Sequence, residues 1–249
     1  MNKIQIFQSL NELIHAAADQ FILTASRAIK DQGQFSVVLS GGSTPLPLYK
    51  SLTDNPADQL AWDKIHFFWG DERPVPPDHQ DSNFNQANLH LLKHRPIPSQ
   101  NIHRIQGELP PMEAARKYQE EISTWFRQSP PRFDLVLLGM GNDGHTASLF
   151  PKTDLVCSDR TNPEQLVAAN WVPQLDTWRI TFTHHLINAA KNILFLVAGK
   201  DKTSPLKQVL EGQFNPEIYP AQLIDPKQGF LSWYIDRDAA AALSKQEPE

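Results

Sequence analysis

Phe133-Asp134-Leu135-Val136-Leu137-Leu138-Gly139 contains four consecutive apolar residues with no polar alternation, closed by a glycine. A strand sends successive side chains to opposite faces, so an unbroken apolar run belongs to a strand covered on both sides. That is the situation inside a parallel sheet flanked by helices. Ile193–Ala198 (ILFLVA) is a second such run, and Phe35–Ser40 (FSVVLS) and Ile65–Trp69 (IHFFW) are shorter ones. Between them the apolar period changes to that of a helix. From about Ser9 to Lys30, Leu10, Leu13, Ile14, Ala17, Phe21 and Ile22 recur at three- and four-residue spacing. Further helices are expected near Pro45–Leu52, Phe84–Leu92 and Met112–Arg127, with short strands near Ile102–Ile105 and at Arg179–Thr183. Strands alternating with helices imply βαβ units. The expectation is an α/β fold with a doubly wound, mostly parallel, Rossmann-like sheet flanked by helices. One domain over residues 1–249 is expected, with 243–249 as a flexible tail.

Composition narrows the class. The 249 residues carry 23 Lys and Arg against 28 Asp and Glu, a net charge of −5. No basic block interrupts that balance, which argues against a protein that works by neutralising nucleic-acid phosphates. Cys157 is the single cysteine, so an intrachain disulfide and a multi-cysteine metal centre are both excluded. The longest apolar runs, Leu135–Gly141 and Ile193–Gly199, fall far short of the ~20 residues that span a bilayer. MNKIQIFQSLNEL, at the start, lacks the basic and apolar regions of a secretory signal. Prolines cluster at Pro74–Pro77, Pro96–Pro98, Pro110–Pro111 and Pro130–Pro131, between patterned segments, and read as stiff turns. A cytoplasmic globular protein is expected, monomer or homodimer, with no nucleic-acid or membrane partner.

Ligands of open α/β sheets lie at the carboxyl ends of the strands, where the strand order reverses. Four strand ends carry residues beyond what a turn needs. Ser40-Gly41-Gly42-Ser43-Thr44-Pro45 follows a buried strand. It reads equally as a well-capped strand–turn–helix or as an anion site on free backbone N–H groups. Gly70-Asp71-Glu72-Arg73-Pro74 sets three charges after an apolar strand, as a solvated loop or as part of a site. Gly139-Met140-Gly141-Asn142-Asp143-Gly144-His145-Thr146 contains GxGxxG. The dinucleotide reading fails, because Asp143 stands where a pyrophosphate would lie and Pro151 stops any crossover helix early. Asp143 and His145 are left either as a turn with a capping histidine or as a functional pair. On the expectation that a short helix opens at His145, the dipole would keep the imidazole neutral, as a general base requires. The fourth feature is the pair Arg179 and Lys202, surface charges unless they converge on the Gly-Gly-Ser-Thr loop, where they would clamp a phosphate.

No third ligand stands at metal spacing from Asp143 and His145, so no metal is expected. No GxSxG elbow is present and Cys157 has no supporting motif, which argues against a covalent hydrolase. What remains is general-base chemistry on a small phosphorylated molecule.

Taken together, LSGGSTPLPLY (Leu39–Tyr49), FWGDERPVPPDHQDSN (Phe68–Asn83), LLGMGNDGHTASLFP (Leu137–Pro151), WRITFT (Trp178–Thr183) and NAAKNILFLVAGKDK (Asn188–Lys202) resemble the 6-phosphogluconolactonases, in order and spacing. The resemblance implies a fold of the sugar-phosphate isomerase/deaminase type. It also implies hydrolysis of 6-phospho-D-glucono-1,5-lactone to 6-phospho-D-gluconate in the oxidative pentose phosphate pathway, without metal or redox cofactor. His145 would then be the general base, with Asp143 orienting it. Arg73 would bind substrate and stabilise the oxyanion, and Asp71 would contribute to substrate binding. Gly42, Ser43, Thr44, Arg179 and Lys202 would hold the phosphate. One departure is Lys152, where the family usually has glycine. The rival is the glucosamine-6-phosphate deaminase/isomerase branch, which carries a glutamate five residues after the histidine, where this chain has Phe150. A third reading, a non-catalytic sugar-phosphate sensor, would keep the phosphate clamp but lose the base.

Overall fold

The computed structural model describes residues 3–54, 60–127, 129–157 and 162–244. Helix α1 (Leu10–Gln32) starts where the Ser9 side chain accepts the Glu12 N–H, and stops at Gly33, whose φ is +81°. The Glu12 carboxylate in turn accepts the Gln8 N–H at 3.0 Å, a capping box shifted by one residue. Its apolar stripe buries Leu13, Ile14, Ala17, Ala18, Phe21 and Ala25, as the three-and-four spacing requires.

Seven strands form the main sheet: β1 (Lys3–Phe7), β2 (Phe35–Leu39), β3 (Ile65–Trp69), β5 (Ile102–His103), β6 (Leu135–Leu138), β9 (Asn192–Val197) and β10 (Phe230–Asp236). Their order is β1-β10-β9-β6-β2-β3-β5, with every pairing parallel. Every residue of β2 and of β6 is buried, so both faces of the sheet are covered there. The helices are α1, α2 (Pro45–Asp54), α3 (Asn83–His90), α4 (Pro111–Trp125), α5 (His184–Asn188) and α6 (Thr203–Glu211). From β2 the chain runs outward through β3 to β5, returns to β6 on the other side of β2, and continues to β9 and β10. The reversal therefore lies between β2 and β6, which pair through Val37–Leu135 and Val38–Val136. Their two exit loops leave side by side. That is where an open α/β sheet opens a ligand crevice.

A second, antiparallel sheet joins β4 (Asp71–Glu72), β8 (Thr177–Phe182) and β7 (Val167–Val172) in the order β4-β8-β7. Gly70 is the junction, donating to the Leu39 carbonyl at 3.0 Å and accepting the Phe182 N–H at 2.7 Å. The Asp71-Glu72-Arg73 run thus begins as a buried strand, not as a solvated loop.

One expectation is overturned. No helix opens at His145; Thr146 and Leu149 form an isolated antiparallel bridge across a turn. Two residues intervene before the chain must turn back toward Pro151, so no hydrogen-bonded helical turn accumulates, and the dipole argument for His145 falls with it. Of the stretch 243–249 expected to be a flexible tail, Leu243 is buried in the core and Ser244 donates twice to the Glu211 carboxylate at 2.7 Å. Residues 245–249 lie outside the described residues.

Candidate active site

The loop after β2 is held by Tyr49, whose hydroxyl accepts the Ser40 N–H at 3.1 Å and donates to the Ser40 carbonyl at 2.6 Å. Gly41 follows, where a Cβ would stand 1.9 Å from Asn83 Oδ1, so only glycine lets the loop approach α3 this closely. Gly42, Ser43 and Thr44 then face the crevice before Pro45 opens α2.

On β4 the two carboxylates divide their tasks. Glu72 accepts the N–H groups of Arg73, Asn83 and Phe84 at 2.8, 2.8 and 2.9 Å and the Ser82 hydroxyl at 3.0 Å. It pins the proline-rich loop to the N-terminus of α3, whose own cap is Ser82. Burial pushes the Glu72 carboxyl above its ordinary range, against the pull of those four donors. Asp71 is buried beneath the crevice. Its Oδ1 accepts from Asn83 Nδ2 at 3.1 Å and its Oδ2 from Ser148 Oγ at 2.6 Å. Arg73 is steadied by a hydrogen bond from Nη1 to the Asp81 carbonyl.

After β6 the chain folds back on itself. Gly141 donates to the His145 carbonyl at 2.8 Å, and Thr146 Oγ1 donates to the Gly139 carbonyl at 2.9 Å. Asp143 Oδ1 accepts the His145 backbone N–H at 3.1 Å and stands 2.6 Å from His145 Nδ1. Burial alone would raise the Asp143 carboxyl, but the hydrogen bond and charge of His145 outweigh it, and the net shift is below the ordinary range. An ionised acceptor at Nδ1 selects the tautomer protonated there, leaving the lone pair on Nε2. Among the described residues Nε2 has no hydrogen-bond partner. That is the arrangement of an oriented general base.

Two cations arrive from elsewhere in the fold. Arg179, on β8, is half-buried and donates from Nη1 to the Trp178 carbonyl at 3.0 Å. Burial first, and the Arg73 charge second, hold its guanidinium below the ordinary value. Lys202 ends the turn Lys200–Lys202 after β9 and pairs with Asp201 at 2.9 Å. Two arginines close enough to repel one another, with only partial carboxylate compensation, suit a multiply charged anion.

The loop after β2, Asp71, Arg73, Asp143, His145, Arg179 and Lys202 meet in one cleft of about 410 Å³. Its lining includes every residue that the resemblance implied for the site: Gly42, Ser43, Thr44, Asp71, Arg73, Asp143, His145, Arg179 and Lys202, but not Glu72. Sequence reasoning named Phe150 only as the position that departs from the deaminase branch and did not assign Ser148, Leu175 or Asn83 to the site, although all four line the cleft. Phe150 stacks on the His145 imidazole with ring centroids 4.1 Å apart and planes at 27°. Ser148 and Phe150 lie within five residues of His145, and their position beside the candidate base was the available signal. Asn83 acts through a contact with Asp71 that no local pattern encodes. Among the described residues no group of three or more His, Cys, Asp or Glu side chains converges as metal ligands.

The family described as glucosamine-6-phosphate isomerases/6-phosphogluconolactonase matches residues 8–233. A 6-phosphogluconolactonase of Nostoc sp. is 41% identical over 245 residues, covering 97% of this chain and 98% of the relative. One from Synechocystis sp. is 43% identical over 223 residues, covering 88% of each. Among solved structures, the 6-phosphogluconolactonase from Thermotoga maritima superposes with a TM-score of 0.80 at 32% identity, over 95% of this chain and 100% of that one. With the family match running through both sheets and the cleft between them, this chain belongs to the glucosamine-6-phosphate isomerase/6-phosphogluconolactonase family.

Proposed function

We propose that the protein hydrolyses 6-phospho-D-glucono-1,5-lactone to 6-phospho-D-gluconate, the lactonase step of the oxidative pentose phosphate pathway, by general-base activation of water. The observation that carries this reading is the Asp143–His145 pair, with Nε2 unengaged, in the same cleft as Arg73, Arg179 and Lys202. The similar proteins named above are 6-phosphogluconolactonases, which supports the same substrate.

In this mechanism Nε2 takes a proton from water as the water oxygen bonds to the lactone carbonyl carbon. The carbonyl oxygen becomes an oxyanion, which Arg73 stabilises electrostatically. The intermediate collapses, the bond from that carbon to the ring oxygen breaks, and Nε2–H returns its proton to the departing ring oxygen. Asp143 keeps the imidazole in the required tautomer throughout. Backbone N–H groups and hydroxyls of Gly42, Ser43 and Thr44, with Arg179 and Lys202, hold the phosphate. Asp71, with both oxygens already accepting from Asn83 and Ser148, shapes the sugar pocket and is a poor candidate for the base. The step calls for no metal or nucleotide, and the setting we assign is the cytoplasm.

The deaminase branch shares the family, so the family alone does not choose between them. Opening an amino-sugar ring needs a further acid beside the histidine, and the group packed against this imidazole is the hydrocarbon ring of Phe150. That favours the hydrolase. The experiment is a coupled assay consuming 6-phosphogluconate, run on freshly generated lactone and corrected for spontaneous hydrolysis. Acceleration is expected from the wild type, with kcat lower by roughly 10²–10⁴ and KM little changed in His145→Gln. A wild-type rate no greater than that of buffer overturns the reading; a fully active His145→Gln overturns the role of His145.

A further inference from the structure

The reaction proposed above needs one imidazole edge aimed at a carbonyl and its water, and a histidine side chain has two rotatable bonds with which to miss. Hydrogen bonding to Asp143 fixes one point of the ring, Nδ1, at 2.6 Å, and leaves rotation about that contact open. The ring plane must be set by what touches its faces. Beside the Nδ1–Cε1 edge stands Gly141, where a Cβ would lie 2.1 Å from Nδ1 and 2.3 Å from Cε1, so only glycine leaves the ring room there. Against the ring lies Phe150, stacked at 4.1 Å and 27°.

Phe150 is itself unusually well held for a residue in a loop. It is 8% exposed. Its carbonyl accepts the Thr153 hydroxyl at 2.8 Å, and that hydroxyl accepts from Asn170 Nδ2 at 3.2 Å. The next residue, Pro151, offers its carbonyl to Gln174 Nε2 at 2.6 Å. Asn170 and Gln174 belong to β7 and the turn that follows it, so the small antiparallel sheet supports the loop from outside. An aromatic ring anchored from a second sheet, and presented flat to the base, is more than filling a gap requires.

The geometry points to Phe150 as a positioning residue of the reaction: with Gly141 close to the Nδ1–Cε1 edge, its ring sets the plane of the His145 imidazole so that Nε2, and no other edge, faces the substrate. The inference rests on the lactonase reading for its kinetic consequence but not for its structural one. Misplacing a catalytic group by about 1 Å can cost on the order of 10² in rate. Replacing the flat face by a flexible aliphatic of similar volume should therefore lower kcat while leaving the phosphate clamp, and hence KM, intact.

The test compares wild type with Phe150→Leu and Phe150→Tyr by steady-state kinetics on the lactone and by NMR of the His145 ring protons. In Phe150→Leu, kcat should fall about ten- to a hundredfold with KM changed by less than about threefold. The His145 signals should lose the ring-current displacement that a stacked phenyl imposes. Phe150→Tyr keeps the face and should recover most of both. In a His145→Gln background the further change Phe150→Leu should leave the residual rate unaltered, since a group acting through the imidazole has nothing left to position. Should Phe150→Leu not fold, Phe150→Met carries the same test. Unchanged His145 signals in the aliphatic variant overturn the inference whether or not the wild type is a lactonase. So does an undiminished kcat in an active enzyme. An inactive wild type whose His145 signals do shift in the variant overturns the lactonase reading alone.

Discussion

Arg73, Arg179 and Lys202 come from three separate elements, and among the described residues only Lys202 forms an ion pair, with the exposed Asp201. Cations gathered without matching anions are held against their own repulsion, and a bound phosphate relieves it. Charge-assisted contacts contribute roughly 1.5–3 kcal/mol each, so Arg179→Ala and Lys202→Ala should each raise KM about ten- to a hundredfold, with kcat nearly kept. Gluconolactone without the phosphate should respond little to either change; equal losses on both substrates would exclude these residues from the clamp. At this scale the sequence was informative because charged and glycine residues at the ends of apolar strands have no packing reason to be there. It was silent on Ser148 and Asn83, which matter through Asp71, 77 and 12 positions away in the chain. Glu72 shows the opposite limit. In the sequence it is as conspicuous as its neighbours, but its oxygens are consumed by four donors that build the loop.

Between the candidate base and the small sheet runs the segment Phe150–Thr153, which holds Lys152, the position where the resemblance led to the expectation of glycine. Lys152 has a φ of +60°, in the left-handed region, while its N–H donates to the Glu217 carbonyl at 2.9 Å. The turn that glycine would make freely is made here by lysine, at a cost of about 1–2 kcal/mol. Glycine at this position would remove that strain but add about 0.5–1 kcal/mol of unfolded-chain entropy. Lys152→Gly should therefore be neutral or stabilising by up to about 1.5 kcal/mol, whereas Lys152→Val should lose about 1–3 kcal/mol. Thermal unfolding checks both. A lowered melting temperature in Lys152→Gly would mean that the lysine side chain contributes something the backbone does not reveal. Elements were legible where periodicity was strong: Ile65–Trp69 coincides with β3, and α4 begins one residue before the expected Met112. The helix expected after His145 failed because a capping histidine followed by Thr-Ala-Ser reads the same whether the chain continues as a helix or turns back.

Across the whole molecule, the sheet closes by pairing the two ends of the chain, Lys3 with Ser232 through Phe7 with Asp236, and no local pattern announces a contact so distant. The alternation of strands and helices declared the class; the strand order, and with it the crevice between β2 and β6, needed the fold. The same long-range packing half-buries histidines whose titration couples to stability. His66, on β3, stands 3.1 Å from His103, which contacts Glu121 at 2.8 Å. Burial first, and His103 second, lower the His66 pKa to about 4. His184, at the start of α5, is likewise lowered to about 4 by burial and by neighbouring His185. Unfolding returns each to about 6.5. Between roughly pH 4 and 6.5 the unfolded chain therefore binds more protons than the folded one, and stability rises with pH across that window. Acidification from pH 7 should lower the urea midpoint progressively, most steeply below about pH 6.5 and levelling as pH 4 is approached. Asp143, held below its ordinary range, adds to the loss as the pH falls further. Glu72, raised by burial, opposes it by favouring the folded state when protonated. Replacing His66 and His184 together by Gln removes two of the groups that titrate in this window, leaving His185, which burial also lowers, and should reduce the slope there, while kcat and KM at pH 7.5 stay close to wild type, since neither residue lines the cleft. An undiminished slope in that double variant would remove His66 and His184 as the source of the acid sensitivity and leave it to His185 and other groups.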